Sequence, residues 1–218
     1  MRDNSRFNLT RLLICEGAKD KSFFANFIEK RNLPRFHVRT TNDKNDSGGG
    51  ITKFEMALRA TRLNRSFNNI AHIILVADND EAPDTNFNNI RDQATRAGFQ
   101  VPESELERSS GRPTIAIMML PLNKVHGNLE CVFVEAARNA DRTISSYVDQ
   151  FAALVGADQW TNSRRGKAWL RSILAVRCAR DPFIPLGSAL NDDRDNIIPL
   201  TDNSLDKIAD FLGSYGSL

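Results

Sequence analysis

Three carboxylates stand where chemistry could be done. Glu16 directly follows the apolar run Leu12-Leu13-Ile14-Cys15, and Asp78 and Asp80 directly follow a second run, Ile73-Ile74-Leu75-Val76-Ala77. Oxygen-only donors suit a hard cation. Magnesium takes a few carboxylates, keeps several waters and completes its shell with substrate phosphate oxygens. With no cation present, carboxylates sharing a site repel and raise one another's pKa. Asp78 and Asp80, two residues apart in an extended chain, are expected to point to the same side. The pattern suits phosphoryl chemistry better than proton transfer alone. An Asp-x-Asp after a strand also serves as a plain turn whose side chains cap backbone groups. What favours a metal site is its pairing with Glu16 at the end of a separate strand.

The elements that must position these groups follow from hydrophobic periodicity. Leu9 to Cys15 reads as a buried strand. Lys19 to Lys30 reads as a helix with Phe23, Phe24, Phe27 and Ile28 inward and Asp20 as its N-cap. Arg35 to Thr41 reads as a second strand. Thr52 and Glu55 have capping-box spacing, with Ile51 and Met56 placed for a hydrophobic staple. Ile70 to Ala77 is a β-branched run of the kind found in central parallel strands. Phe87, Ile90, Ala94 and Ala97 mark a helix closed by Gly98, and Thr114 to Leu120 a fourth strand. Alternation of this kind predicts an α/β fold, a Rossmann-like, four-stranded, mainly parallel sheet flanked by helices. Helices are then expected over 129–138, 144–155, 165–176 and 205–212. Residues 1–125 are thus read as the α/β domain and 126–218 as a helical extension packed on it.

Composition sets the frame. Hydrophobic residues make up 41% of the 218 and charged residues 26%, and the net charge of +2 does not by itself announce a nucleic-acid binder. Of 29 basic residues 21 are arginine, which holds phosphate oxygens through two parallel hydrogen bonds. Cys15, Cys131 and Cys178 are odd in number and widely spaced, with no zinc-ligand pattern, which predicts free thiols in a reducing cytoplasm. The first residues carry no apolar segment of signal-peptide type, and no run is long enough to cross a bilayer.

Leu12-Leu13-Ile14-Cys15-Glu16-Gly17-Ala18-Lys19-Asp20, followed by Ile73 to Asp80, resembles the TOPRIM pattern of topoisomerases, bacterial primases, recombination mediators and overcoming-lysogenisation-defect nucleases. The resemblance covers about the first 120 residues. Gly127-Asn128-Leu129-Glu130, the helix led by Lys167, and Leu205 to Leu212 resemble a small stand-alone bacterial TOPRIM-related family of undefined function, distantly similar to the nuclease branch. These resemblances imply magnesium or manganese as cofactor. Glu16 is implied as a ligand or general acid/base, Asp78 and Asp80 as ligands, Glu130 as a further ligand and Lys167 as a stabiliser of phosphate charge. Asp20 is read as a helix cap. Glu130 also reads as a first-turn glutamate facing the helix dipole, and Lys167 as a solvated helix residue.

Glycines and arginines complete the candidate list. Gly17 and Gly50, the latter closing Gly48-Gly49-Gly50, could present backbone N–H groups to a phosphate, although a flexible loop explains the glycine run as well. Arg164 and Arg165, with Lys167 and Arg171, form one basic cluster, and Arg59, Arg62 and Arg65 another. Either could follow a nucleic-acid backbone or be a solvated helix face. His72 reads as structural, and His126 is placed to approach the site from the loop after the fourth strand. Tyr147 and Tyr215 lie in helical contexts, with no domain built around a tyrosine nucleophile, so strand passage is not expected. A metal-dependent nuclease or related phosphotransferase acting on DNA or RNA is the first expectation. The alternative is a non-catalytic nucleic-acid-binding or regulatory module, with an ATPase as a conceivable protein partner. Action on a small phosphorylated ligand is the third.

Overall fold

The computed structural model describes residues 6–42, 49–190 and 195–216. Gly48 of the glycine run lies outside the described residues. Four strands, β1 (Arg11–Cys15), β2 (His37–Thr40), β3 (His72–Asp78) and β4 (Thr114–Leu120), form one sheet in the order β2-β1-β3-β4. Every pairing is parallel. The crossovers run through α1 (Ala18–Lys30), α2 (Phe54–Arg62) and α3 (Pro83–Arg96). After β4 come α4 (Leu129–Ala140), α5 (Arg142–Leu154), α6 (Asn162–Arg177), the short α7 (Leu186–Leu190) and α8 (Asp206–Gly213). The fold is an α/β, Rossmann-like one with C-terminal helices.

Side-chain alternation along the strands divides the core into two layers. Leu12, Ile14, Ile73, Leu75, Ile115 and Ile117 pack with residues of α2 and α3. Leu13, Cys15, Ile74, Val76, Met118 and Leu120 face the other way, toward α1, α4, α6 and α8. Two crossover helices cover the first face and only one the second. The C-terminal helices supply the missing cover, and Phe133 of α4 meets Phe23 of α1 edge-on at 4.9 Å between ring centroids. Each such side chain removed from water contributes roughly 1.5–3 kcal/mol. Residues on both sides of position 125 therefore share one hydrophobic cluster.

The chain leaves β1 toward β2 on one side, then returns to add β3 and β4 on the other. The strand order thus reverses between β1 and β3. In open parallel sheets this reversal opens a crevice beyond the strands' carboxyl ends, where ligands bind. Glu16 and Asp78 stand at those two ends.

Several local expectations are corrected. Thr52 and Glu55 form no capping box: the chain enters α2 through a 3-10 turn at Ile51–Lys53, and neither that turn nor α2 has a side-chain cap. Glu55 instead pairs with Arg59 and Arg96. Met56 is 56% exposed, so no staple forms with Ile51. The N-cap of α1 is Gly17, and Asp20, three residues on, accepts the Gly17 N–H at 2.8 Å. Arg59 and Arg62, both exposed, also donate to the Arg96, Ala97 and Gly98 carbonyls at the end of α3. Tyr215 lies just beyond α8 and is buried rather than helical.

Candidate functional site

Glu16 extends the β1 ladder by one bond, its N–H donating to the Val76 carbonyl at 3.1 Å. Its own carbonyl accepts the Thr41 hydroxyl at 3.0 Å. A side chain at Gly49 would place a Cβ 2.3 Å from that carbonyl, so only glycine allows the loop to lie so close. The carboxylate is thereby held over the end of β3, with Oε2 3.5 Å from the Asp78 N–H.

The Asp78-Asn79-Asp80 segment is bolted in place by its middle residue. Asn79 is fully buried, and its Nδ2 donates to the Pro121 and Val125 carbonyls at 2.6 and 2.8 Å, tying the turn to the loop after β4. Asp80 exchanges two backbone hydrogen bonds with Gly127, at 2.6 and 2.8 Å. The extended geometry expected for the two aspartates ends at Asp78. Asp80 has φ +45°, a left-handed turn, so β-strand alternation does not set its side-chain direction. Its Oδ1 instead accepts the Ser163 hydroxyl at 3.0 Å, and Glu81 accepts the Ser163 N–H at 3.1 Å. Helix α6 thus begins directly on this turn.

The first turn of α4 supplies the next contacts. Asp78 Oδ1 accepts the Leu129 N–H at 2.8 Å. Asn128 caps α4 and donates to the Ser163 carbonyl at 3.2 Å, joining the starts of α4 and α6. Glu130 is 8% exposed and meets Lys19 of α1 at 3.4 Å. The Gly127-Asn128-Leu129-Glu130 element therefore borders the crevice.

The family described as "Protein of unknown function (DUF3226)" matches residues 10–215. The chain belongs to that family. No curated protein and no solved structure matches the chain. The match spans every strand and helix just described, the C-terminal helices included.

Electrostatics distinguish the crevice. Burial is the main cause that pushes the Asp78 carboxyl up to about 9, followed by the charges of Asp20 and Glu16. Burial also pushes Asp20 up to about 6, with the Gly17 N–H opposing it and Glu16 and Glu130 adding to it. Glu16 is raised too, by burial first. Backbone N–H groups of Asp78 and Ile51 and the Lys167 ammonium favour its charged form, while Asp80 disfavours it. These five carboxyls, Glu16, Asp20, Asp78, Asp80 and Glu130, lie close enough to act on one another's charge. Among the described residues the only ion pair to any of them is Lys19 to Glu130. Equally, no three His, Cys, Asp or Glu side chains among the described residues already ring a single metal position. The donors fit a hard cation in type and in excess of negative charge; Asp78 and Asp80 presently accept protein hydrogen bonds instead.

The remaining candidates are placed as follows. Gly17 N–H is engaged by Asp20, and Gly50, at φ +147°, donates to Thr41 Oγ1 at 3.3 Å. Both donors expected to meet a phosphate are thus engaged within the protein. Lys167 is exposed on α6 and acts on Glu16. Arg164 stacks over Trp160 at 4.1 Å and Arg165 donates to Asn162 at 2.7 Å; both are exposed. His126 lies 3.7 Å from Glu81. His72 is structural, bonding Thr114 at 2.8 Å. Sequence reasoning treated Asp20 as a cap alone, whereas it both caps α1 and joins the carboxyl group. Ser163 and Asn79 went unnoticed as supports. The burial of Asn79 between two aspartates shows only in the structure, and nothing local marked Ser163.

Proposed function

We propose that the chain is a magnesium- or manganese-dependent phosphodiesterase acting on nucleic acid in the cytoplasm, with the TOPRIM-like carboxylates as its cation site. The observation that carries this reading is the group of five carboxyls at the β1/β3 strand reversal, partly buried and nearly devoid of cationic partners. Buried carboxyls gathered in this way keep protons, as Asp78 does, unless a cation lets them ionise together. Asp78 and Asp80 would hold the cation, with Asp20 and Glu130 in reserve for a second. Bound there, a divalent ion would lower the pKa of its water and screen phosphate charge. Glu16, whose proton affinity is raised by burial, suits a group that exchanges a proton with the entering or leaving oxygen. The Leu129 N–H orients Asp78, and the Ser163 hydroxyl orients Asp80. Lys167 would offset charge building on the phosphate. Exposed Arg164, Arg165 and Arg171 on the same helix offer contacts to flanking phosphates.

The test is incubation of the full chain with linear, nicked and single-stranded DNA and with RNA, in magnesium or manganese. Cleavage that disappears in Asp78→Asn and Asp80→Asn, in protein that remains folded, is the expected result. Nucleic-acid binding without cleavage, unaltered by those substitutions, would overturn it in favour of a non-catalytic binding module.

A further inference from the structure

Beside the carboxyl group lies a pocket of about 150 Å³, formed where α1, α4, α6 and α7 meet. Lys19, Lys167 and Arg171 stand on its walls with Glu130, and Leu170, Leu174 and Leu186 form its apolar part. Three cations face one carboxylate, so the pocket carries a net positive charge next to a crevice lined with carboxyls. Glu130 belongs to both: it pairs with Lys19 at 3.4 Å on the pocket side and acts on Asp20 on the crevice side. Lys167 likewise lines the pocket and acts on Glu16. The two compartments are therefore contiguous.

The cations differ in how they are held. Arg171 donates one N–H to the Ile184 carbonyl at 3.1 Å, which fixes the plane of its guanidinium and leaves its other donors for an acceptor in the pocket. The Lys167 ammonium makes no hydrogen bond or ion pair among the described residues. Leucine walls limit competing water and strengthen the field of the charged groups. The space and its three cations suit a tetrahedral oxyanion.

We propose that this pocket is an oxyanion subsite that takes the phosphate next to the one at the carboxyl group. The idea rests on the phosphodiesterase reading for its substrate, but the pocket's affinity for a phosphate group does not. It supplies what the crevice lacks, a fixed point from which one strand can be registered so that a particular phosphodiester lies over Glu16 and Asp78. A substrate ending in a phosphate at that position would be held more tightly than one ending in a hydroxyl.

The test uses Arg171→Ala and Lys19→Gln, both exposed positions outside the proposed ligand set. Inorganic phosphate is titrated into the full chain and followed by phosphorus NMR line broadening, and manganese binding is measured in parallel. Phosphate binding weakened about tenfold or more by each substitution, with manganese affinity little changed in Arg171→Ala, is the expected result. An oligonucleotide bearing a single neutral methylphosphonate next to the cleaved position should lose as much for the parent as Arg171→Ala loses for the ordinary substrate, and the two losses should not add. Phosphate binding that is absent from the parent, or the same in parent and variants, overturns the subsite. Phosphate binding that depends on Lys19 and Arg171 in a protein that cleaves no nucleic acid would sustain the subsite while the phosphodiesterase reading falls.

Discussion

The two ends of the sheet handle polar groups in opposite ways. At the amino ends of the strands, charges and dipoles find protein partners. Arg11, starting β1, donates to the Tyr215 carbonyl at 2.7 Å; His72, starting β3, bonds Thr114, which starts β4. His37, starting β2, accepts two backbone N–H groups from Asn8 and Leu9. Tyr215 packs edge-on against His72 and Phe36, with the Arg108 guanidinium 3.8 Å from its ring centroid. At the carboxyl ends, five carboxyls gather, and among the described residues a single ion pair, from Lys19, answers one of them. One end pairs its charged groups within the chain, with the buried His72 Nε2 left over, and serves stability. The other is left in deficit, which is what a site completed by an outside cation requires.

The contrast is sharpened by exchanging the two ends' fates through mutation. The largest effect falls on activity: Asp78→Asn should lower metal-dependent cleavage more than about 100-fold, beyond the range of residues that merely support a ligand. Tyr215→Ala, at the opposite end, should cost about 3–5 kcal/mol in a urea melt and leave metal affinity intact in the folded protein. A comparable loss of cleavage without a loss of stability there would break the division of labour.

A smaller effect has a distinctive pH signature. Folded Asp78 holds its proton up to about pH 9, whereas unfolded it releases it near its ordinary value of 3.8. Between those limits the folded state binds more protons, so this group's contribution to stability falls as pH rises. Asp78→Asn removes the cost and keeps an oxygen to accept the Leu129 N–H. The metal-free variant should therefore gain steadily on the parent as pH rises from 5 to 9, by up to about 1.4 kcal/mol for each pH unit. A constant difference across that range would mean that Asp78 does not titrate there. Smallest is Ser163→Ala, which frees Asp80 Oδ1 and should reduce metal affinity about tenfold, with Ser163→Thr restoring part of it.

The strands, the layers and the position of the acidic groups were legible because each depends on local pattern. Ile70 to Ala77 is apolar on both sides because β3 is covered on both sides, and Thr114 to Leu120 was bounded to the residue. Glu16 and Asp78 were readable because a strand end is a local event and a parallel sheet aligns those ends. What stayed hidden depends on distant partners. Thr52 and Glu55 have capping spacing, yet Glu55 is drawn to Arg96 of α3 and the cap does not form. The left-handed turn at Asp80 is imposed by Gly127, forty-seven residues along, and by α6, which supplies Ser163. The double role of Asp20 emerges only once α1 is seen to start beneath Asp78. The bonds from the exposed arginines of α2 to the end of α3 likewise depend on a partner more than thirty residues away.

The central claim is that the carboxyl-end deficit is resolved by a cation, and calorimetric titration of manganese into the full chain at pH 7 meets it most directly. Run in two buffers of different ionisation enthalpy, the titration should show saturable binding with net proton release, because Asp78 must give up its proton to become a ligand. The release should vanish in Asp78→Asn together with most of the affinity. Saturable binding that releases no proton and is indifferent to Asp78→Asn, or no binding at all, would contradict the account.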